Sequence, residues 1–281
     1  MRTVTTAADL RSALAAWREK GQSVGLVPTM GALHAGHLAL VEQARKATGK
    51  VVVSIFVNPK QFGPGEDLDR YPRDLPGDSE RLREAGVDLL FAPTVDEMYP
   101  PGFSTTVHVA GVSEGMEGAR RPGHFDGVAT VVARLLCLVL PDVAFFGQKD
   151  AQQCAVVMRL VRDLGLPVEV RVAPTVREAD GLALSSRNAY LSPEERKAAP
   201  ALFRALLVTQ LVHELGEKKA GKLLHTFRLA LETEPLLVLD TVDLVDAVTM
   251  RPVEKVDRPV LLAAAVRVGR TRLIDNVVFG G

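Results

Sequence analysis

The chain contains 281 residues, of which 47% are hydrophobic and 24% are charged, so the sequence predicts a packed core and a length suited to roughly two domains. Lys and Arg together number 34, as do Asp and Glu, and this balance argues against broad binding to nucleic acids or membrane surfaces, while it allows a local basic pocket. The two cysteines, Cys137 and Cys154, lie in apolar segments; they form neither a disulfide framework nor a zinc spacing, and both are expected to be buried in a reducing compartment.

Along the first 175 residues, apolar runs of strand length alternate with amphipathic segments of helical length. The predicted strands are 23–28, 51–59, 87–93, 143–147 and 168–174, and the predicted helices are 37–47, 77–86, 126–140 and 151–165. Continuous apolar strands that alternate with helices are typical of a parallel sheet covered on both faces. The sequence therefore predicts a doubly wound α/β fold, in which ligands bind at the carboxyl ends of the strands.

The remaining residues follow a different pattern. The stretch "LSPEER", 191–196, is a capping box with Ser192 at the N-cap, Pro193 at N1 and Glu195 at N3. A polar, Lys-rich helical region then continues to about residue 233, and three strands are predicted in 239–250, 260–268 and 271–279. We therefore expect a domain over 1–175 and a smaller α+β domain over 176–281 that closes over the active site.

Two segments bear on cellular location. The N-terminal residues surround a short "ALAAW" with charges and contain no long apolar run, so no signal peptide is expected. The most apolar run, 127–140, is interrupted by Arg134 and is shorter than the ~20 residues that a membrane span needs. We expect this run to be a buried helix and the protein to be cytoplasmic.

The loop in "VPTMGALHAGHLALVEQARK", 27–46, follows a predicted strand and opens a predicted helix. Free backbone N–H groups and the helix dipole make such a junction an anion-binding site, and Gly31 and Gly36 allow close approach of the backbone. The spacing matches the first half of a phosphate-binding P-loop, but His37-Leu38 stands where that motif needs Lys and Ser/Thr. The loop also lacks the G-x-G-x-x-G pattern of dinucleotide-binding proteins.

The same loop carries His34 and His37, which are three residues apart at a helix start and can point to one side. Either ring could donate a hydrogen bond to a phosphate, and together they could stabilise charge developing there. A single loop histidine is more often structural, and His-x-x-His alone supplies only two zinc ligands. His-x-Gly-His at a strand–helix junction is nevertheless typical of nucleotidyl-transfer enzymes that hold ATP with two histidines.

Two further stretches follow predicted strands. Asn58 and Gln61 come after the second strand, where Asn-Pro could equally be a plain turn. In "FFGQKDAQQ", 145–153, Gly147 permits close backbone approach, Lys149 can neutralise a phosphate, and Asp150 can accept hydrogen bonds from a ribose or can cap the following helix.

Of the two adjacent glutamines in that stretch, Gln153 is predicted to face the ligand crevice, because it lies one helical turn after Lys149 while Gln152 points elsewhere.

The stretch "VREADGLALSSRNAYL", 176–191, lies at the predicted domain junction. Its two hydroxyls and one guanidinium, from Ser185, Ser186 and Arg187, suit the β- and γ-phosphates of a triphosphate. An exposed linker is the alternative interpretation. The position beside the second domain favours a segment that closes over the site.

Taken together, these stretches resemble the pantoate–β-alanine ligase family. The motifs that carry the resemblance are "PTMGALHAGH", "FVNPKQFG", "YPRD", "RPGHFDGVATVV", "FGQKDAQQ", "PTVREADGLALSSRN" and "RLIDN", in that order from near residue 24 to near residue 277. The resemblance implies a Rossmann-like nucleotide- and pantoate-binding domain, a smaller C-terminal domain and a homodimer. It also implies a two-step reaction: the pantoate carboxylate attacks the α-phosphate of ATP, accompanied by Mg²⁺, and β-alanine then displaces AMP from the pantoyl adenylate.

The resemblance further implies roles for individual residues. His37, His34 and Lys149 would be catalytic, with His37 at the position of a proton donor; Gln61 and Gln153 would bind pantoate and β-alanine. ATP would be held by Met30, Gly31, Ala32, Leu33, His34, Ala35, Gly36, His37, Gly147, Gln148, Lys149, Asp150, Val176, Leu184, Ser185, Ser186 and Arg187. The magnesium ligands are not identified; Asp78 is a candidate.

Two other functions are compatible with parts of this pattern. Another nucleotidyltransferase of the same superfamily would share the His-x-Gly-His loop but not the paired Gln61 and Gln153 or "GLALSSRN". A scaffold or RNA-binding protein could keep the fold without activity; the zero net charge and the complete set of phosphate-facing groups argue against it.

Overall fold

The computed structural model describes residues 1–280. A six-stranded parallel sheet is formed by β1 (Arg2–Val4), β2 (Val24–Thr29), β3 (Lys50–Ile55), β4 (Leu89–Phe91), β5 (Val143–Gly147) and β6 (Glu169–Ala173), in the order β1-β4-β3-β2-β5-β6. The chain moves from β2 outward through β3 to β4 and then returns to place β5 on the other side of β2. This reversal makes the crevice between β2 and β5 the topological switch point, where open α/β sheets bind ligands.

Helices cover both faces of this sheet: α1 (Ala7–Arg18), α2 (Ala35–Ala47), α3 (Leu75–Glu84), α4 (Val95–Met98), α5 (Glu117–Arg120), α6 (His124–Val139) and α7 (Ala151–Asp163). Side chains alternate across the strands, so Leu26 and Val52 pack with α1, α6 and α7, while Val27 and Val53 pack with α2 and α3. The doubly wound α/β architecture expected from the apolar strands is confirmed.

The C-terminal part contains α8 (Pro193–Ala198), α9 (Ala201–Glu214) and α10 (Ala220–Leu231), followed by an antiparallel sheet of β7 (Leu237–Asp246), β8 (Val260–Val268) and β9 (Thr271–Phe279). The predicted capping box is present, because the Ser192 side chain accepts from the Glu195 N–H and the Glu195 carboxylate accepts from the Ser192 N–H. One face of this sheet packs on α9 and α10. Val245 and Leu261, on the other face, join the core that contains α6 and α7.

Several sequence-based expectations differ from the structure. Strand β1 and helix α1 were not predicted. The strand predicted over 51–59 ends at Ile55, because Pro59 begins a 3₁₀ turn, Pro59–Gln61, that the Asn58 side chain caps. Cys154 is buried as expected, but the expectation for Cys137 is wrong: this residue is exposed on α6, where the helix turns one side away from the core.

Among residues 1–280, no helix combines the length and the apolarity that a membrane crossing requires.

Candidate active site

A cavity of about 890 Å³ lies at the carboxyl ends of β2 and β5 and is closed on its far side by the C-terminal part. Its volume falls in the range of about 300–1,000 Å³ that is usual for small-molecule sites. The predicted site residues in its lining are Met30, His34, Gly36, His37, Gln61, Gly147, Lys149, Asp150, Gln153, Val176, Leu184, Ser185, Ser186 and Arg187. Five further predicted residues lie outside this lining: Gly31, Ala32, Leu33, Ala35 and Gln148.

The loop after β2 owes its shape to two unusual backbone positions and one buried carboxylate. Gly31 and Ala32 adopt φ values of 84° and 50°, in the left-handed region. The Asp78 carboxylate accepts hydrogen bonds from the N–H groups of Ala32 and Leu33, both at 2.8 Å, and is 1% exposed. Arg81 lies 3.1 Å from the same carboxylate. The Asp78 carboxylate thus holds the loop in its shape.

The two histidines are held together at the start of α2. Their ring centroids are 4.1 Å apart. The Nδ1 of His34 accepts from the Gly36 N–H at 3.2 Å, and the Nδ1 of His37 accepts from the His34 N–H at 3.3 Å. An Nδ1 that accepts a backbone hydrogen bond carries no proton, so each neutral ring bears its proton on Nε2. Each imidazole is therefore fixed as a donor from Nε2.

Position 36 must be a glycine for the two histidines to adopt this arrangement, because its backbone lies close to the His34 imidazole. A Cβ at position 36 would lie 2.9 Å from the His34 imidazole, which is closer than a carbon side chain tolerates. The glycine therefore lets the His34 ring come this close to the first turn of the helix.

The electrostatic environment keeps both rings uncharged at neutral pH. Burial lowers the pKa of His37 to about 3, and the neighbouring His34 acts in the same direction. Burial also lowers the pKa of His34, and the nearby Lys149 ammonium contributes to that decrease. A neutral pair can approach an anionic phosphate as hydrogen-bond donors at physiological pH without first losing a proton.

We expect His37 to make the protein less stable in acid. The unfolded chain binds a proton at this residue near pH 6.5, whereas the folded protein does so only near pH 3, so the free energy of unfolding falls as the pH drops between these values. A His37→Gln variant, which does not titrate, should lose less stability than the wild type between about pH 7 and about pH 4. Urea denaturation at a series of pH values measures this; identical losses in the two proteins would contradict the buried neutral ring.

A second group of polar side chains follows β3. The Asn58 amide nitrogen donates to Gln61 Oε1 at 2.9 Å and to the Gly127 carbonyl at 3.1 Å. The Gln61 Nε2 faces the Met30 sulfur at 3.2 Å. Helix α6 approaches this turn so closely that a Cβ on Gly127 would lie 2.2 Å from the Lys60 carbonyl oxygen. Gln61 is thereby held at the cavity wall, 9% exposed.

The loop after β5 supplies charged groups to the cavity. Asp150 directly precedes α7 but its side chain makes no capping hydrogen bond, so the alternative role as a helix cap is not realised and the carboxylate stays exposed. Among residues 1–280, no carboxylate comes within 4.0 Å of the Lys149 ammonium to form an ion pair. The Asp150 carboxylate and the Lys149 ammonium, adjacent in the chain, therefore lie at the switch point without ion-pair partners in the described part of the chain.

The two neighbouring glutamines have different surroundings. Gln153 lines the cavity. Gln152 is 5% exposed and donates to the carbonyls of Val112 and Gly115, so it holds the loop before α5. The helical spacing that selected Gln153 for the crevice agrees with this arrangement.

The C-terminal sheet holds the loop after β5 in place. The Asn276 amide nitrogen donates to the carbonyls of Gln148 and Lys149, both at 3.0 Å, and Gln148 Nε2 donates back to Asn276 Oδ1 at 3.0 Å. Gln148 thus turns toward β9. This contact explains why the "RLIDN" motif, distant in sequence, belongs to the site.

The segment 185–190 contacts the loop that precedes α3. Arg187 pairs with Asp67 at 2.9 Å, Ser186 Oγ lies 3.5 Å from the Tyr71 hydroxyl, and the Tyr190 hydroxyl donates to the Arg70 carbonyl at 3.2 Å. These contacts close one side of the cavity. The segment is therefore a structured wall of the cavity, as the closing interpretation expects, rather than the alternative of an exposed linker. The Arg187 guanidinium already has a carboxylate partner.

Several charged residues in the cavity wall were not predicted as site residues. Arg272 binds Glu117 at 2.6 Å and Asp240 at 2.8 Å, and Arg120 reaches the same Asp240 at 3.2 Å. This chain of ion pairs between two acids and two arginines joins α5 to β7 and β9. Single-sequence reasoning missed it because the residues from α5 and those from the C-terminal sheet are 120 or more positions apart along the chain.

Among residues 1–280, no group of three or more His, Cys, Asp or Glu side chains is arranged to hold a metal ion.

Comparison with known proteins relates this geometry to a family. The family model described as Pantoate-beta-alanine ligase matches residues 2–278. Pantothenate synthetase from Herpetosiphon aurantiacus is 52% identical over 279 residues, covering 99% of this chain and 100% of the relative, and that from Pseudomonas aeruginosa PAO1 is 55% identical over 285 residues, covering 99% and 98%.

Solved structures agree. The crystal structure of pantothenate synthetase from Thermus thermophilus is 56% identical, covers 99% of both chains and has a TM-score of 0.94. Pantoate-beta-alanine ligase from Francisella tularensis, solved as a complex with beta-gamma ATP and beta-alanine, is 32% identical, covers 99% and 97% of the two chains and has a TM-score of 0.81. The predicted resemblance is confirmed: this chain belongs to the pantoate–β-alanine ligase family.

Proposed function

We propose that this protein condenses (R)-pantoate with β-alanine at the expense of ATP, through a pantoyl-adenylate intermediate. The observation that carries the proposal is the pair of neutral imidazoles, His34 and His37, which are fixed as Nε2–H donors at the wall of the same cavity as Lys149 and Arg187. Hydrogen-bond donors and cations that line one cavity suit a triphosphate whose α-phosphorus is attacked.

ATP occupies the part of the cavity between β2 and β5 in this proposal. Asp150, with its free carboxylate, receives the ribose hydroxyls, and Val176 contacts the adenine. The phosphates face His34, His37 and Lys149, while Ser185, Ser186 and Arg187 lie over their far end. Asp67, the partner of Arg187, lines the same cavity, so the guanidinium can exchange that carboxylate for phosphate oxygens when nucleotide arrives.

Pantoate lies against Gln61 and Gln153. In the first step, one of its carboxylate oxygens forms a bond to the α-phosphorus, and the bond from that phosphorus to the bridging oxygen breaks. Pyrophosphate leaves with the electron pair. Because the substrate supplies the nucleophile, the protein contributes positioning and stabilisation of charge on the five-coordinate phosphorus. The Nε2–H of His37 and the Lys149 ammonium stabilise the charge on the five-coordinate phosphorus.

In the second step, the neutral amine of β-alanine attacks the acyl carbon of the adenylate. The C–N bond forms, the bond from the acyl carbon to the AMP oxygen breaks, and AMP leaves with the electron pair. The proton lost by the amine passes to the phosphate of the leaving AMP. The acyl phosphate must be kept from water until the amine arrives. The contacts of Ser186 with Tyr71 and of Tyr190 with Arg70 support this role for the segment 185–190, because they close the cavity beside the phosphate groups.

Four further features belong to the proposal. Mg²⁺ enters with ATP, bound mainly by phosphate oxygens and water, as is usual for this ion. The chain forms a homodimer and acts in the cytoplasm. The parallel-sheet domain spans 1–175, and the closing domain spans 176–281.

The test is an AMP-release assay with ATP, Mg²⁺, pantoate and β-alanine. We expect AMP to appear only when both acids are present, because the adenylate forms from pantoate and is consumed by the amine. Omission of either acid is the control. Pyrophosphate release with a different phosphorylated acceptor would indicate a sibling nucleotidyltransferase. Absence of turnover together with absence of ATP binding would indicate a scaffold protein.

A further inference from the structure

A chain of hydrogen bonds runs from Tyr99, which lies outside the cavity lining, to Gln61, which is part of it. The Tyr99 hydroxyl donates to Asn58 Oδ1 at 2.8 Å, and Asn58 Nδ2 donates to Gln61 Oε1 at 2.9 Å. Asn58 itself is 1% exposed. The tyrosine follows α4, 41 residues beyond Asn58 along the chain.

Every hydrogen-bonding site of the Asn58 amide is used. Its oxygen accepts from Tyr99 and from the Lys60 N–H at 3.2 Å, and its nitrogen donates to Gln61 and to the Gly127 carbonyl at 3.1 Å. A flipped amide would place its NH₂ against the Lys60 N–H and its oxygen against two other oxygens. In a buried site that arrangement is strongly unfavourable. The Asn58 amide therefore has one orientation.

This orientation determines which end of Gln61 faces the substrate. Because Gln61 Oε1 accepts from Asn58, the NH₂ group is the end that remains for the cavity. Its protein contact there is the Met30 sulfur at 3.2 Å, and a thioether is a weak acceptor. Gln61 thus offers N–H donors to a bound molecule, which suits the carboxylate and hydroxyl oxygens of a hydroxy acid.

We propose that Tyr99 is a positioning residue for the acid substrate, acting through Asn58 to keep the Gln61 amide turned as a donor. The proposal rests on the proposed function, in which Gln61 binds pantoate. The Tyr99 hydroxyl makes the shorter of the two hydrogen bonds to Asn58 Oδ1, and its loss leaves that buried oxygen with only the Lys60 N–H.

The surroundings of Tyr99 hold its hydroxyl in place as a donor. The ring packs edge-on against Phe103, with centroids 5.1 Å apart, and lies 6.0 Å from the Phe56 ring. The Lys60 ammonium lies 5.0 Å from the Tyr99 centroid, on the ring face. Burial raises the pKa of Tyr99 to about 12, so the phenol keeps its proton throughout the physiological range.

The test is a double-mutant cycle in pantoate-dependent exchange between ATP and pyrophosphate, with β-alanine omitted so that only the first step is measured. The four proteins are the wild type, Gln61→Ala, Tyr99→Phe and the double variant. We expect Gln61→Ala to raise the KM for pantoate about tenfold and Tyr99→Phe about fivefold, as for the loss of one hydrogen bond. The double variant should match Gln61→Ala alone, and the KM for ATP should stay within about twofold.

The matched control is Phe103→Leu, which loosens the packing of the Tyr99 ring and keeps the hydroxyl. It should lower the melting temperature and leave the KM for pantoate unchanged. Three results would overturn the role of Tyr99 alone. The first is multiplicative effects on the pantoate KM in the double variant, and the second is an equal rise in the KM for ATP. The third is an unchanged pantoate KM in Tyr99→Phe while Gln61→Ala raises it. A Gln61→Ala protein with the wild-type pantoate KM would overturn the proposed acid site, and the positioning role with it.

Discussion

Replacement of His37 by alanine is expected to lower the rate of adenylate formation about a hundredfold or more. The Nε2–H of this ring is aimed by the Nδ1 contact with the His34 N–H at 3.3 Å. A donor that is already oriented in a site shielded from water stabilises charge in the transition state without reorganisation. The change removes one weak backbone contact, so the fold should persist. Rapid-quench measurement of the first turnover with ATP and pantoate reports the rate.

The control for this variant is His225→Ala, because His225 is an exposed residue of α10 that lies outside the cavity lining. Its adenylation rate should equal that of the wild type. A near-wild-type burst of adenylate in His37→Ala would refute the role assigned to this imidazole, provided that circular dichroism shows both variants folded.

Replacement of Lys149 by alanine should also lower the rate of pyrophosphate release about a hundredfold. Its ammonium lines the same cavity as the imidazole pair, where it lowers the pKa of His34. No carboxylate among residues 1–280 pairs with it. A cation without a partner in a partly enclosed site interacts strongly with an incoming polyanion. Asn276 holds the backbone of position 149 through its carbonyl, so loss of the side chain should leave the loop in place.

Single-turnover pyrophosphate release measures this effect, and Lys46→Ala serves as its control. Lys46 lies at the end of α2 with a side chain 72% exposed and pairs with Glu42, so its removal should leave the rate unchanged. If Lys149→Ala keeps the rate and instead raises the KM for pantoate, the lysine belongs to the acid site and the assignment to phosphate is wrong.

Local sequence patterns predict the parallel sheet and the position of the anion site. Continuous apolar runs such as 143–147 are typical of strands covered on both faces, so they predict the parallel sheet and its ligand-binding edge. Glycines and polar residues directly after two of these strands predict where the anion site lies. The spacing of three between His34 and His37, and of four between Lys149 and Gln153, selects side chains on one side of a helix start. These patterns depend on neighbours in the chain, which a sequence displays directly.

The tertiary structure alone decided how those groups behave. The neutral state of His37 depends on its burial in the folded chain. The shape of its loop depends on Asp78, 45 residues further along the chain than Leu33. Arg187 meets a carboxylate 120 residues away. Each such contact arises from the packing of separate elements, which periodicity does not encode. The sequence by itself thus determined which groups reach the carboxyl ends of the strands. Folding decided the orientation, protonation and partners of these groups, because hydrogen-bond geometry and desolvation depend on neighbours that only the folded chain brings together.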